Sequence, residues 1–261
     1  MKKSKIGIAL GGGGAKGFAH LGVLKALEEK GITPDAVSGV SAGAIVGVFI
    51  AAGFKPDDIM ELIKTHKFMD YAKLSLPVAG FFSLENFEQN IKKHLFGEHF
   101  SDLKLPFFVG VSNLNTGNVE YFNEGALIPA IQASCSIPVL FSPVKINGYL
   151  YVDGGLLDNI PYRPLVKLCE KVIAVNVSPV VETNTIENLL DVAIRTFELS
   201  VSVNKELLKN ECDLLIEPSG LEKYNILDTS HAEELFEIGY QYCKKIDNID
   251  NLLKKPWYKM F

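Results

Sequence analysis

Ala44-Ile45-Val46-Gly47-Val48-Phe49-Ile50-Ala51-Ala52 is an unbroken apolar run closed by Gly53. A helix that is apolar on every side has no face to offer water, so the rest of the chain must surround it. Directly before the run stands Gly39-Val40-Ser41-Ala42-Gly43, and before that Asp35-Ala36-Val37, short and apolar enough to end a strand. This Gly-x-Ser-x-Gly sequence puts Ser41 at a strand-to-helix turn, where small neighbours let a strained backbone hold the hydroxyl outward. The helix N-terminus behind it favours negative charge developing nearby. Taken alone, the pentapeptide reads equally well as a tight turn whose serine caps the helix.

The same order of parts occurs upstream. Lys5 to Leu10 reads as a buried strand, Gly11-Gly12-Gly13-Gly14-Ala15-Lys16-Gly17 as a turn, and Phe18 to Lys30 as a helix stopped by Gly31. Two strand–turn–helix units in succession argue for a parallel sheet with helices packed on it. Further on, Lys55 to Leu105 is helical in pattern. Pro56-Asp57-Asp58 opens one helix there, and Ser83 caps another holding Phe87, Ile91 and Leu95. The middle of that segment, Phe68 to Phe82, suits a loop or cap near a binding site, or simply buried aromatics. Pro106 to Leu114 and Val119 to Phe122 read as strands, and Asn147-Gly148 turns a hairpin spanning Lys145 to Val152. After it come a helix starting at Pro161, a strand over Val172 to Val177, and one long helix over Glu187 to Asn210. A strand over Asp213 to Ile216 and a closing helix over Ser230 to Ile246 complete the pattern. No repeat or linker marks a second domain, so residues 1–261 are expected to form one domain.

Composition narrows the function classes. Hydrophobic residues make up 48% and charged residues 22% of the 261, which fits a folded α/β domain. A formal charge of -5 without a long basic run gives no invitation to a nucleic-acid reading. Cys135, Cys169, Cys212 and Cys243 are scattered with no Cys-x-x-Cys pair, which points to reduced thiols in a cytoplasmic protein. The N-terminal apolar run is too short for a signal peptide, and Ala42 to Phe54 is too short for a membrane span. The basic and aromatic tail, Lys254 to Phe261, is open to two readings: peripheral contact with a membrane, or a docked or frayed end.

Three clusters are candidates for chemistry. The first, Gly12-Gly13-Gly14-Ala15-Lys16-Gly17, fits the Gly-x-Gly-x-x-Gly template of a dinucleotide fold, with Asp35 about 20 residues on as a ribose ligand. It fits equally an oxyanion hole, because adjacent glycines let backbone N–H groups converge on a developing charge. The second cluster is the serine turn. It follows Asp35 by four residues and lies at the same carboxyl edge of a parallel sheet, which favours acyl transfer over an NAD(P)-binding oxidoreductase. A general base is then required. His20 reads as packed in the first helix, His66, His94 and His99 as surface residues, and His231 as a helix start. Asp153, in contrast, ends an apolar strand beside Gly154-Gly155; the alternative for it is a turn aspartate bonding its own backbone.

Together these clusters resemble the patatin-like phospholipase family, bacterial members in particular. Gly12 to Gly17, with Lys16 at its Arg/Lys position, matches the glycine-rich oxyanion motif. Gly39 to Gly43 matches the nucleophile elbow, and Asp153-Gly154-Gly155 the Asp-Gly-Gly motif. Ala133-Ser134-Cys135-Ser136-Ile137-Pro138, Phe141-Ser142-Pro143-Val144 and Asn159-Ile160-Pro161 add to the likeness, which spans about residues 5–165. The resemblance implies a three-layer α/β/α fold with a mostly parallel sheet and a variable helical cap segment at about 55–105. It also implies a lipid acyl hydrolase of phospholipase A or lysophospholipase type, with a Ser41–Asp153 dyad, an oxyanion hole at Gly12, Gly13 and Gly14, and no metal or organic cofactor. A non-catalytic regulator with the same fold is the other outcome. Phe68, Tyr71, Leu76, Phe81 and Phe82 are candidates for an acyl-chain groove or for core.

Overall fold

The computed structural model describes residues 6–65, 94, 95, 97–180, 182, 186–201, 203, 205–247 and 249. His66, the Ser83-capped helix with Phe87 and Ile91, the groove candidates Phe68, Tyr71, Leu76, Phe81 and Phe82, and the C-terminal tail lie outside the described residues.

Among the described residues the strands are β1 (Ile6–Leu10), β2 (Ala36–Gly39), β3 (Phe107–Asn113), β4 (Val119–Phe122), β5 (Val144–Ile146), β6 (Tyr149–Asp153), β7 (Lys171–Val175) and β8 (Leu214–Ile216). They form one sheet in the order β5-β6-β3-β2-β1-β7-β8, with β4 paired to β3 off this path. The run from β3 through β8 is parallel throughout, and the pairs β3–β4, β3–β6 and β5–β6 are antiparallel.

The helices are α1 (Phe18–Glu29), α2 (Ala42–Ala52), α3 (Pro56–Thr65), α4 (Leu127–Ser134), α5 (Arg163–Leu168), α6 (Leu189–Ser200), α7 (Lys205–Glu211) and α8 (Ala232–Lys244). The strand period of two sorts the sheet's side chains into two faces. Ile6, Ile8, Leu10, Val37, Ile173 and Val175 join α1, α2, α4 and α8 in the larger core. Ala9, Ala36, Val172 and Ala174 face the other way, onto Leu165 of α5 and Leu208 of α7. Two covered faces make a three-layer α/β/α arrangement, and they explain why β1 and β2 are buried along their whole length. As its composition requires, α2 lies inside this packing, against β1, β2 and β3. It ends at Gly53, whose φ of 94° is left-handed.

Register fixes where the site forms. β4 takes one edge of β3 from Val109 to Ser112. β2, opposite Phe107 to Val109, and β6, opposite Val111 to Asn113, must therefore share the other edge. β2 is parallel to β3 and β6 antiparallel, so the two strands run toward each other and stop almost end to end. Ser41 follows the end of one, and Asp153 is the end of the other.

Several elements differ from the sequence pattern. The expected long helix from Glu187 to Asn210 is two helices, α6 and α7, broken near Val201. Ser200-Val201-Ser202-Val203-Asn204 is a run of poor helix formers, and Val201 is buried where it leaves α6. The pattern assigned no helix to Leu127–Ser134; its Pro129 sits in the first turn, where a missing N–H breaks no helical bond. The helix expected from Pro161 begins at Arg163, with Pro164 in its first turn. The hairpin turn is as expected, with φ of 49° at Asn147 and 89° at Gly148.

Candidate active site

Ser41 sits between β2 and α2 with φ 53° and ψ -123°, a left-handed backbone that costs a non-glycine residue about 1–3 kcal/mol. Its side chain makes no capping bond to the helix, which removes the reading of a serine that merely caps. Neighbouring groups hold the strained turn in place. Ser41 N donates to Ser134 Oγ at 2.9 Å, and Ser134 Oγ donates to Gly110 O at 2.7 Å. Gly43 brings α2 against the end of β1: a Cβ there would lie 2.2 Å from Leu10 O and 2.7 Å from Gly11 O. Gly39 is the last residue of β2, paired with Leu10.

The first glycine loop leaves β1 beside this turn and closes as a 3-10 turn over Gly14–Gly17. Gly14 has φ 55°, and a Cβ on it would lie 2.2 Å from Ile226 O. Gly17 packs against Ala42. The amide of Gly12 is already engaged, donating to Asn159 Oδ1 at 3.1 Å and Asn159 O at 3.3 Å. This corrects its assignment as a free oxyanion donor. Among the described residues, the hydrogen bonds of this region leave the N–H groups of Gly13, Gly14 and Ala42 without an acceptor. Ala42, the residue after the serine, was not singled out from the sequence.

Asp153 is fully buried at the end of β6. Its Oδ1 accepts Gly155 N–H at 2.8 Å, and Oδ2 has no hydrogen-bond partner among the described residues. Burial pushes its pKa from 3.8 up to about 7, opposed by the Gly155 N–H and then by the Ser41 hydroxyl. Gly154 passes against the backbone of Gly110, and Gly155 against Asn159. Ser41, Asp153, Asn159, Gly12, Gly13 and Gly14 line one cavity of about 10 Å³, room for roughly one water. Phe197, Glu198 and Val201 of the α6 region close it from the other side.

Other candidates go elsewhere. His20 is buried with Nε2 2.7 Å from Gly11 O, and burial lowers its pKa to about 4. It is a neutral ring supporting the loop. His99 and His231 are exposed, with Nδ1 3.9 Å from an Asp102 oxygen and 3.2 Å from a Glu234 oxygen respectively. Asp35 precedes β2 and accepts Ile6 N–H at 2.8 Å, at the start of β1. That is the opposite edge of the sheet from the glycine loop, so Asp35 cannot serve a ribose bound there. Lys16 is 5% exposed, and desolvation lowers its pKa. Asn159 and Ser134, which hold the two loops, belong to segments already noted in the sequence. Their role as props has no local signature, because each acts on a residue more than 90 positions away.

Comparison with known proteins gives the family and the fold. Residues 8–166 match the family described as patatin-like phospholipase. The chain is 34% identical over 170 residues to lysophospholipase NTE1 of Cryptococcus neoformans, covering 62% of this chain and 10% of that protein. It is 28% identical over 272 residues to lysophospholipase NTE1 of Saccharomyces cerevisiae, covering 91% and 16%. The chain thus spans between a tenth and a fifth of the length of these fungal relatives. Among solved structures, VipD from Legionella pneumophila superposes with a TM-score of 0.52 at 16% identity, covering 96% of this chain and 67% of that one, which speaks for the fold. The chain belongs to the patatin-like phospholipase family.

Proposed function

We propose that this chain is a serine lipid acyl hydrolase that cleaves carboxylic esters of phospholipids or lysophospholipids. The observation that carries the reading is the strained, uncapped Ser41 set against a fully buried Asp153 whose carboxyl titrates near neutrality. Asp153 accepts the Ser41 proton as the hydroxyl attacks the ester carbonyl. An ordinary carboxylate is a weak base for a hydroxyl, and burial brings this one into a useful range. The N–H groups of Gly13 and Gly14, with that of Ala42, take the oxyanion, each worth roughly 3 kcal/mol in the transition state. Loss of the alcohol leaves an acyl-enzyme on Ser41, which water then cleaves.

The substrate class follows the family and the lysophospholipase names of the fungal relatives. A cleft of apolar side chains borders the same loop, lined by Phe18, Leu21, Ile45 and Val46 beside Gly14 and Ala42; it is our seat for the start of an acyl chain. We read residues 1–261 as one unit that works in the cytoplasm and touches lipid surfaces peripherally. The scattered cysteines, with no Cys-x-x-Cys pair, support a reducing compartment, and no helix among the described residues is long and apolar enough to cross a membrane.

A fluorophosphonate probe followed by intact-mass measurement tests the nucleophile. One adduct is expected on the wild-type chain and none on Ser41→Ala. An adduct that persists in Ser41→Ala would refute the assignment.

A further inference from the structure

A second cavity adjoins the site of the dyad. It measures about 250 Å³ and opens between the glycine loop, α6 and the segment Glu222–Asn225. Ser178 and Glu198 line both this cavity and that of the dyad, so the two adjoin. Lys16 lines it as well, buried to 5% exposure, and among the described residues it forms no ion pair and no hydrogen bond through its ammonium. A buried ammonium costs several kcal/mol of lost hydration unless a counter-charge meets it. Glu198 and Glu222 act on Lys16 electrostatically without an ion-pair contact, and most of the neighbouring charges have nearer partners. Arg195 pairs with Glu198 at 3.2 Å, Lys223 with Glu234 at 3.5 Å, and Asp191 accepts the amides of Glu187 and Asn188. Glu182 and Glu222 are exposed on the same lining, Glu222 accepting the Gly220 amide.

Charge is therefore ordered across the cavity. The buried Lys16 lies on the glycine loop, next to the oxyanion donors, Glu198 beside it is paired with Arg195, and the exposed carboxylates Glu182 and Glu222 lie toward solvent. A bare anion would meet four carboxylates against three cations on this lining. A head group with phosphate near the ester and an ammonium beyond it presents the opposite charges in the same order.

We propose that this cavity seats the head group of the substrate, with Lys16 facing its phosphate and Glu182 and Glu222 facing its ammonium. The proposal rests on the hydrolase reading above and deepens it: it makes the cavity a specificity site that favours net-neutral phosphate head groups over anionic ones and over none.

The test is a panel of 1-acyl glycerol esters with one chain length, kept below their aggregation concentrations and hydrolysed by the full chain. The esters carry phosphocholine, phosphate alone, or no head group. The phosphocholine ester is expected to lead both others by about tenfold or more in kcat/KM, the size of a charge-assisted contact. In Lys16→Met its lead over the head-group-free ester should collapse to within about threefold. In Glu182→Gln/Glu222→Gln, two exposed positions that keep the chain measurable should Lys16→Met fail to fold, its lead over the phosphate ester should shrink about fivefold. Equal rates on all three esters would overturn the proposal, as would a Lys16→Met loss of equal factor on each. Ser41 labelled by the fluorophosphonate with no head-group discrimination removes this inference alone. No labelling and no cleavage of any ester removes the hydrolase reading and this one with it.

Discussion

At the scale of single residues, the chemistry turns on how Asp153 is kept. A carboxylate that is to take a proton from a serine must be basic enough, yet ionised at working pH. Full burial raises its pKa, and a single amide donor together with the serine hydroxyl limits the rise, leaving a value of about 7. Only the ionised form can accept the proton, so kcat/KM should increase about tenfold per pH unit below that value and level off above it. A profile flat from pH 5 to 9 under conditions where the chain stays folded would mean that another group is the base. Ser41 and Asp153 were legible in the sequence because small residues flank them in a fixed order. Asn159 and Ser134 were seen only as company for those motifs. What each does depends on contacts across the sheet that no local pattern encodes, and the engagement of Gly12 by Asn159 was hidden for the same reason.

At the scale of elements, the serine turn and its helix act as one part. Uniform apolarity marked α2 as buried, and that is where it lies. Gly43 looks dispensable by propensity alone, since alanine in a helix is worth up to about 1 kcal/mol more than glycine. The backbone says otherwise: an added Cβ would meet Leu10 O at 2.2 Å, and neither backbone can yield without displacing Ser41 or the glycine loop. Gly43→Ala should therefore lower the melting temperature, costing about 3 kcal/mol or more, and lose fluorophosphonate labelling. A variant that melts at or above the wild type would contradict the close approach. The elements that sequence missed are those whose limits come from packing. α6 and α7 read as one helix because their charges and leucines continue the same period. The break appears where Val201 turns into the site and Leu208 into the opposite layer.

At the scale of the molecule, the sheet brings the dyad together through two strands that approach along one edge of β3, and the cost of that arrangement is spread over the fold. The parallel half of the sheet was readable from two repeated strand–turn–helix units. The meeting of β2 and β6 was not, because strand order is a long-range property. It places a carboxyl group out of contact with bulk water, and linkage turns this into a stability effect with a definite sign. Asp153 has a native pKa above its ordinary 3.8, so between that value and about 7 the native chain binds more protons than the unfolded one. Its contribution to stability is fully present below pH 4 and is lost as pH rises through 7, with a ceiling of about 4 kcal/mol. Asp153→Asn removes the charge and keeps an oxygen for the Gly155 amide. At pH 8 this variant should melt about 5 °C or more above the wild type, and at pH 5 most of that gap should close. It should also hydrolyse no ester at either pH. A variant less stable than the wild type at pH 8 would show that the carboxylate is better solvated than its burial implies, and the base would then need another source of its reactivity.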